Sequence, residues 1–153
     1  MNADFVNPFL KATLNVLEMM AFVKPVAGKP YLKKDKVASG DISGIIGLTG
    51  ATKGVVIISL SKAAALKIVG GMLGETLTEL NDDIKDAVGE ITNMISGDAR
   101  RALSEKGHNF EAGLPSVISG KNHEIESITS GPTVAIPFTV DGAQFVVETS
   151  FEK

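Results

Sequence analysis

The chain has 153 residues, of which 44% are apolar and 22% charged, and its formal net charge is −3. This length and composition are typical of one globular domain with its own core, and they predict a single domain over residues 1–153. The acidic balance and the lack of a basic stripe exclude a nucleic-acid-binding surface. Because cysteine is absent, disulfides, thiolate metal sites and a cysteine nucleophile are excluded as well.

The N-terminal residues lack the basic region and the long apolar stretch of a signal peptide. No window of the sequence approaches the roughly 20 apolar residues that a membrane span requires. We therefore expect a cytoplasmic protein that makes no membrane contact.

The first half of the chain predicts one helix followed by three strands. Pro8 suits the first turn of the helix, and Pro25 ends it. The run at 54–60 is β-branched and apolar throughout, which is typical of a central strand covered on both faces. The predicted ranges are 4–22 for the helix and 23–32, 38–49 and 54–60 for the strands.

A short helix over 62–73 leads from the first half to a second unit of one helix and three strands. The second unit begins with a long helix over 79–106, with Gly107 just beyond its C-terminus, and the pair Asp141-Gly142 indicates a hairpin. Its strands are predicted over 109–118, 132–140 and 143–151. Consecutive strands without helical crossovers indicate a largely antiparallel sheet. The predicted fold class is therefore α/β in the α+β sense, a pseudo-duplicated sheet with long helices packed on it.

The long helix has two distinct faces. At about 100° per residue, its apolar side chains fall on one arc. They are Ile84, Val88, Ile91, Met94, Ile95 and Ala102. The opposite arc carries Asp86, Glu90, Asn93, Gly97, Arg100 and Ser104. Residues three or four apart are neighbours on a helix surface, so Glu90 and Asn93 are adjacent and Asp86 lies one turn earlier.

Two residues on the polar arc are poor helix formers. The amide of Asn93 competes for backbone hydrogen bonds, and Gly97 costs about 1 kcal/mol relative to alanine in a helix interior. A charged residue such as Glu90 needs no more than the ordinary solvated face of an amphipathic helix. Asparagine and glycine on the same stripe instead predict that a partner's backbone comes close and meets an amide.

The segment Asp86-Ala87-Val88-Gly89-Glu90-Ile91-Thr92-Asn93, with Pro115 downstream, resembles the Asp/Ser-x3-Glu-x2-Asn…Pro signature of the CheC/CheX/FliY chemotaxis phosphatases. The CheX type in particular is similar in three further places along the chain. These are Met72-Leu73-Gly74-Glu75, Asn93-Met94-Ile95-Ser96-Gly97-Asp98-Ala99 and the opening Asn7-Pro8-Phe9.

The resemblance implies a CheC-like fold and a phosphatase that hydrolyses the aspartyl phosphate of the receiver protein CheY. It implies that Asn93 orients the attacking water and that Glu90 holds the receiver's active-site lysine. The further residues expected to contact the partner are Asp86, Gly97, Arg100 and Pro115. CheC-type members carry the signature twice, whereas the first helix here offers only Thr13, Leu17 and Met20 at the matching spacing, so we expect one site per chain.

No cofactor of the chain's own is expected, because the receiver supplies the Mg²⁺. His108 and His123 are isolated from any carboxylate cluster at ligand spacing, so no metal site is expected either. Two other functions stay open. One is a non-catalytic binding module for phosphorylated receivers, like the middle domain of the flagellar switch proteins, and the other is a regulator whose receiver is not CheY.

The expected partners are a phosphorylated CheY-like receiver and a second copy of the chain. The apolar segment 144–151 reads as an edge strand, and Pro137 places the neighbouring segment 134–138 near an edge. Strand pairing at these edges predicts a symmetric homodimer in which Glu90 and Asn93 face outward.

Overall fold

The computed structural model describes residues 3–35, 37–121, 123–125 and 129–152. Its helices are α1 (Ala3–Ala21), α2 (Lys62–Leu73) and α3 (Asp82–Glu105). Its strands are β1 (Val26–Ala27), β2 (Tyr31–Lys33), β3 (Ile42–Gly50), β4 (Gly54–Leu60), β5 (Phe110–Ala112), β6 (Ser116–Ser119), β7 (Thr133–Val140) and β8 (Ala143–Phe151). All these strands form one antiparallel sheet, which confirms the predicted fold class. No described helix has the length and apolar character needed to cross a membrane.

The strand order explains how the two halves of the chain combine. The order is β1-β7-β8-β4-β3-β5, with β2 also beside β7 and β6 beside β3. Each half supplies a hairpin, β3–β4 or β7–β8, and the two hairpins meet where β4 pairs with β8. The short strands of each half pair with the hairpin of the other half. Strands β1 and β2 pair with β7, and strands β5 and β6 pair with β3. The order is thus symmetric about the β4–β8 contact, in agreement with the predicted duplication.

Several predicted elements are observed with their expected bounds. The strand over 54–60 and the helix over 62–73 match β4 and α2. At the β7–β8 turn, Asp141 and Gly142 have φ angles of 48° and 80°, as a two-residue hairpin loop with left-handed residues requires.

Three predicted strands were too long. The segment 23–32 forms two short strands separated by Gly28 and Pro30, and 109–118 is divided by Gly113-Leu114-Pro115. Proline has no backbone N–H and restricts the residue before it, which interrupts the ladder at both places. The segment 38–49 enters the sheet only at Ile42.

The prediction that the C-terminal segment is an edge strand was wrong. β8 lies in the middle of the sheet, where Phe145 is opposite Phe138 on one side and Leu60 on the other. Pro137 lies one strand in from the edge, and its carbonyl accepts a hydrogen bond from the Gly28 N–H at 2.7 Å. The edges consist of the short strands β1, β2, β5 and β6, because the two halves exchange their opening strands.

Helix α3 packs closely on β3 because Gly44 has no side chain. A Cβ atom built on Gly44 would overlap Thr92 Oγ1 and lie 3.1 Å from Thr92 Cβ and 3.4 Å from Val88 Cγ1. Thr92 is fully buried, and its hydroxyl donates to the Val88 carbonyl at 2.7 Å. Gly44 therefore determines how closely the turn of α3 that carries Glu90 and Asn93 approaches the sheet.

We expect Gly44→Ala to lower the free energy of unfolding by about 3 kcal/mol, because the added methyl group overpacks the α3–β3 contact. Gly47→Ala is the matched control, since a Cβ on Gly47, in the same strand, has nothing within 4 Å. Urea denaturation of both variants measures the difference. Equal stability of the two variants would show that Gly44 does not set the packing distance.

The face of the sheet away from the helices contains a buried ion pair between Lys33 and Glu148. Their side chains are 9% and 4% exposed, and Lys33 Nζ lies 3.2 Å from Glu148 Oε1. The ammonium group also donates to the Val37 carbonyl at 2.6 Å. Burial raises the pKa of the Glu148 carboxyl above its ordinary value, and Lys33 offsets part of that rise.

This raised pKa predicts a pH dependence of stability. Between the ordinary pKa and the raised pKa, the folded chain binds more protons at Glu148 than the unfolded chain does, so stability falls as pH rises through that window. In urea denaturation at a series of pH values, the stability of the parent relative to Glu148→Gln should be greatest below the ordinary pKa and should shrink as pH increases. If the stability of the parent relative to Glu148→Gln increased with pH over the same range, the result would contradict a raised pKa of Glu148.

Candidate functional site

The ends of α3 are fixed by local interactions. Asn81 caps the N-terminus, where its Oδ1 accepts a hydrogen bond from the Ile84 N–H at 3.0 Å. Asp82 and Asp83 stand in the first turn, where negative charge is favourable, and Gly107 follows the helix with a φ angle of 89°. The helix therefore begins and ends at defined residues.

One side of α3 is buried against the sheet and α1. The buried residues are Ile84, Val88, Gly89, Ile91, Thr92, Ile95, Ser96, Ala99 and Leu103. Met94 and Ala102, predicted for the core face, are only half-buried. The opposite side of the helix is open to solvent around Glu90 and Asn93, as the helical projection predicted.

Glu90 and Asn93 are both exposed. Neither side chain makes a hydrogen bond or salt bridge to another residue that the structure describes. They line an open cavity of about 580 Å³. Its lining residues are Lys85, Asp86, Gly89, Glu90, Asn93, Pro115 and Val117. In this cavity the Glu90 carboxylate and the Asn93 carboxamide therefore lie side by side, and neither is paired with another described residue.

The second wall of the cavity comes from the β5–β6 connection. The Gly113 N–H donates to the Gly47 carbonyl at 3.0 Å, which holds this connection against β3. A Cβ atom on Gly89 would lie 3.9 Å from Pro115 Cγ and 3.5 Å from Val117 Cγ2, so the connection lies against α3 at that glycine. The fold therefore brings Pro115, the last residue of the sequence motif, into the same cavity as Glu90 and Asn93.

Two of the predicted contact residues lie outside the cavity. Gly97 and Arg100 are further along α3, and both are half-buried. Arg100 Nε donates to Ser96 Oγ at 3.4 Å, and Arg100 Nη2 is 3.7 Å from the position of a Cβ on Gly97. The Arg100 guanidinium therefore partly covers the backbone at Gly97, which was predicted to be accessible to a partner.

Three cavity residues were not singled out from the sequence. Lys85 and Gly89 precede Asn93 by eight and four residues, so helical spacing alone could have placed them beside it. Lys85 makes no salt bridge within the described ranges. Val117 could not have been found in this way, because it reaches the cavity through the pairing of β6 with β3.

Helix α1 does not present a second Glu–Asn pair. Of the three α1 residues at the matching spacing, Thr13 and Leu17 are fully buried and Met20 is partly exposed. The Thr13 hydroxyl donates to the Phe9 carbonyl at 2.7 Å. None of the three side chains supplies a carboxylate or an amide.

The histidines have structural contacts. The His108 ring packs against Phe5 with 4.9 Å between ring centroids. His123 Nδ1 is 2.7 Å from the Gly120 carbonyl oxygen, and His123 Nε2 is 2.7 Å from Ser43 Oγ, which in turn is 2.7 Å from Ser59 Oγ. Among the described residues, no three His, Cys, Asp or Glu side chains are grouped so that they could hold a metal ion.

The sequence and the structure of the chain are similar to those of known chemotaxis proteins. A sequence model of the family described as "Chemotaxis phosphatase CheX" matches residues 42–139. The CheY-P phosphatase CheX of Thermotoga maritima is 28% identical over 141 residues, which cover 92% of this chain and 90% of that protein. A CheC-like superfamily protein from Shewanella sp. PV-4 is 44% identical, covers 100% of both chains and superposes with a TM-score of 0.93.

A third relative was crystallised with a partner. It is CheX in the CheX–CheY–BeF3–Mg²⁺ complex from Borrelia burgdorferi, which is 28% identical, covers 99% of this chain and 100% of that chain, and has a TM-score of 0.84. The α+β sheet with an open Glu–Asn pair on a long helix thus defines a protein of the CheC-like class. Within that class, the chain belongs to the CheX family of chemotaxis phosphatases.

Proposed function

We propose that the chain hydrolyses the aspartyl phosphate of a CheY-like receiver and so terminates a chemotaxis signal. The observation that carries this proposal is the open pair of Glu90 and Asn93 on α3, which lines one cavity together with Pro115. Support also comes from the Thermotoga maritima relative, a CheY-P phosphatase, and from the Borrelia burgdorferi relative in complex with CheY.

Asn93 is proposed to orient the attacking water. An aspartyl phosphate is an activated acyl phosphate, already held by the receiver's own Mg²⁺ and lysine, so the remaining task is to place a water in line with phosphorus. The bond from phosphorus to that water forms as the bond to the aspartyl oxygen breaks, which releases phosphate and a free carboxylate. A carboxamide can accept from the water and donate to a phosphoryl oxygen without any titration of its own.

Glu90 is proposed to hold the receiver's lysine. Two negative groups repel each other, so a carboxylate is a poor ligand for a phosphoryl oxygen and a good one for an ammonium group beside it. The carboxylate has no salt-bridge partner within the described part of this chain, so the pair with a receiver lysine replaces no internal interaction. Asp86 lies one turn before Glu90 on the same side of the cavity, where it can add to the attraction of a basic side chain.

The chain is proposed to need no cofactor of its own and to act in the cytoplasm, where receiver proteins are phosphorylated. A homodimer formed by strand pairing is also proposed, through the β1–β2 edge of the sheet and not through β8. Pairing at that edge would leave Glu90 and Asn93 facing outward, because their cavity borders the opposite edge, where β6 supplies Val117.

The test is to add the purified chain to a receiver that carries a radiolabelled phosphoryl group, and to follow the loss of label from the receiver. A phosphatase accelerates the loss at a chain concentration far below that of the receiver. A non-catalytic binder leaves the rate unchanged or slows it. Running several phosphorylated receivers in parallel also identifies the substrate, including the case in which that receiver is not CheY.

A further inference from the structure

Leu114 is the most exposed of the large apolar side chains in the described residues, with 91% of its surface open. Its backbone is nevertheless held on both sides. The preceding Gly113 is hydrogen-bonded to Gly47, and the following Pro115 lies against Gly89 of α3. The structure therefore presents a leucine side chain to solvent from a fixed position next to Pro115, which lines the cavity.

A single exposed leucine is common on protein surfaces and by itself needs no explanation. Leu114 differs because it directly precedes Pro115, which forms the apolar side of the cavity together with Val117. The facing wall, on α3, is polar and carries Lys85, Asp86, Glu90 and Asn93. An apolar anchor next to a few placed polar groups is the usual arrangement of a protein-binding site, in which burial of the anchor supplies affinity and the polar groups supply orientation.

We propose that Leu114 is the apolar docking anchor for the receiver and inserts into an apolar patch beside the receiver's phosphorylated pocket. This inference rests on the proposed function and divides its tasks between the two walls of the cavity. The α3 wall meets the phosphoryl group and its lysine, while the β5–β6 wall binds apolar surface next to them. Because the backbone around Leu114 is already fixed, little ordering is required when the receiver binds.

The experiment measures binding of the purified chain to a CheY receiver loaded with beryllofluoride and Mg²⁺, using calorimetry. Leu114→Ser should raise the Kd about tenfold, as expected when a binding anchor is truncated. Leu114→Met, which keeps the apolar volume, should bind nearly as the parent does. The turnover rate of Leu114→Ser at saturating phosphorylated receiver should stay within about twofold of the parent, because the residue acts on docking and not on the attacking water.

Leu73→Ser is the matched control, since Leu73 is a half-exposed leucine on α2, and no residue of α2 lines the cavity. It should leave the Kd unchanged. If Leu114→Ser binds as tightly as Leu73→Ser, or loses turnover without losing affinity, the anchor assignment is overturned while the phosphatase proposal stands. If the parent chain itself fails to bind any loaded receiver, the proposed function fails and the anchor fails with it.

Discussion

Asn93→Ala should lower the rate of receiver dephosphorylation about a hundredfold while leaving receiver binding within a few-fold of the parent. The expected loss reflects the cost of misplacing a reacting water. The side chain is exposed and makes no internal hydrogen bond within the described ranges, so its removal breaks nothing that holds the fold. Since alanine is the better helix former, the variant should be more stable than the parent by about 0.5 kcal/mol. Single-turnover decay of labelled receiver and thermal denaturation measure the two effects.

Asn15→Ala provides the matched control for this substitution. Asn15 is also an exposed asparagine inside a long helix, but it lies on α1 and contacts Asp98 at 3.4 Å, away from the cavity. Its removal should leave the dephosphorylation rate unchanged. If Asn93→Ala and Asn15→Ala retain the same activity, the amide of Asn93 does not orient the water.

Glu90→Lys should weaken binding of the loaded receiver by about 2–5 kcal/mol, because it removes a charge-assisted contact and sets two ammonium groups against each other. Its stability should change little, since Glu90 is exposed and unpaired within the described residues. Calorimetry with beryllofluoride-loaded receiver measures the affinity, and urea denaturation measures the stability.

Glu105→Lys separates this local effect from the change in net charge. Glu105 is exposed at the far end of α3 and outside the cavity, and the substitution alters the total charge by the same amount. Long-range steering affects both variants alike, whereas loss of a lysine contact affects Glu90→Lys alone. Equal affinities of the two variants would refute the role assigned to Glu90.

The parts of the fold that were predicted correctly depend on local chemistry. A β-branched apolar run defined β4, and the Asp141-Gly142 pair defined the β7–β8 hairpin. Helix α2 likewise has local signals at both ends, since the Ser61 side chain accepts a hydrogen bond from the Ala64 N–H and Gly74 follows the helix with a φ angle of 70°. Each of these features is contained within a few neighbouring residues and does not depend on the rest of the chain.

The strand order could not be predicted, because it depends on contacts between the two halves. An apolar C-terminal strand fits an edge or a centre equally well until its neighbours are known. Here the opening strands of each half are exchanged, which places β8 between β7 and β4. The strands 23–32 and 109–118 were predicted too long for a different, local reason, because Pro30 and Pro115 interrupt strand pairing within them.

The site was predicted best where it lies on one helix. Helical spacing placed Glu90 and Asn93 together on the open side of α3, and the sequence motif added Asp86 and Pro115. Helical spacing also placed Gly97 and Arg100 on that side, and it could not show that the Arg100 side chain folds back over Gly97. The apolar wall formed by Pro115 and Val117 could not be predicted, because it depends on the β5–β6 segment packing against Gly89, which the sequence does not specify.

The proposed phosphatase activity requires that this chain places a water for attack at phosphorus, and hydrolysis in water enriched in ¹⁸O shows which atom the water attacks. With the chain present at a small fraction of the receiver concentration, we expect many phosphate ions to be released per chain. Each of them should carry one oxygen from the solvent, and the receiver's aspartate should carry none. Release no faster than that of the receiver alone, or solvent oxygen found in the aspartate, would contradict it.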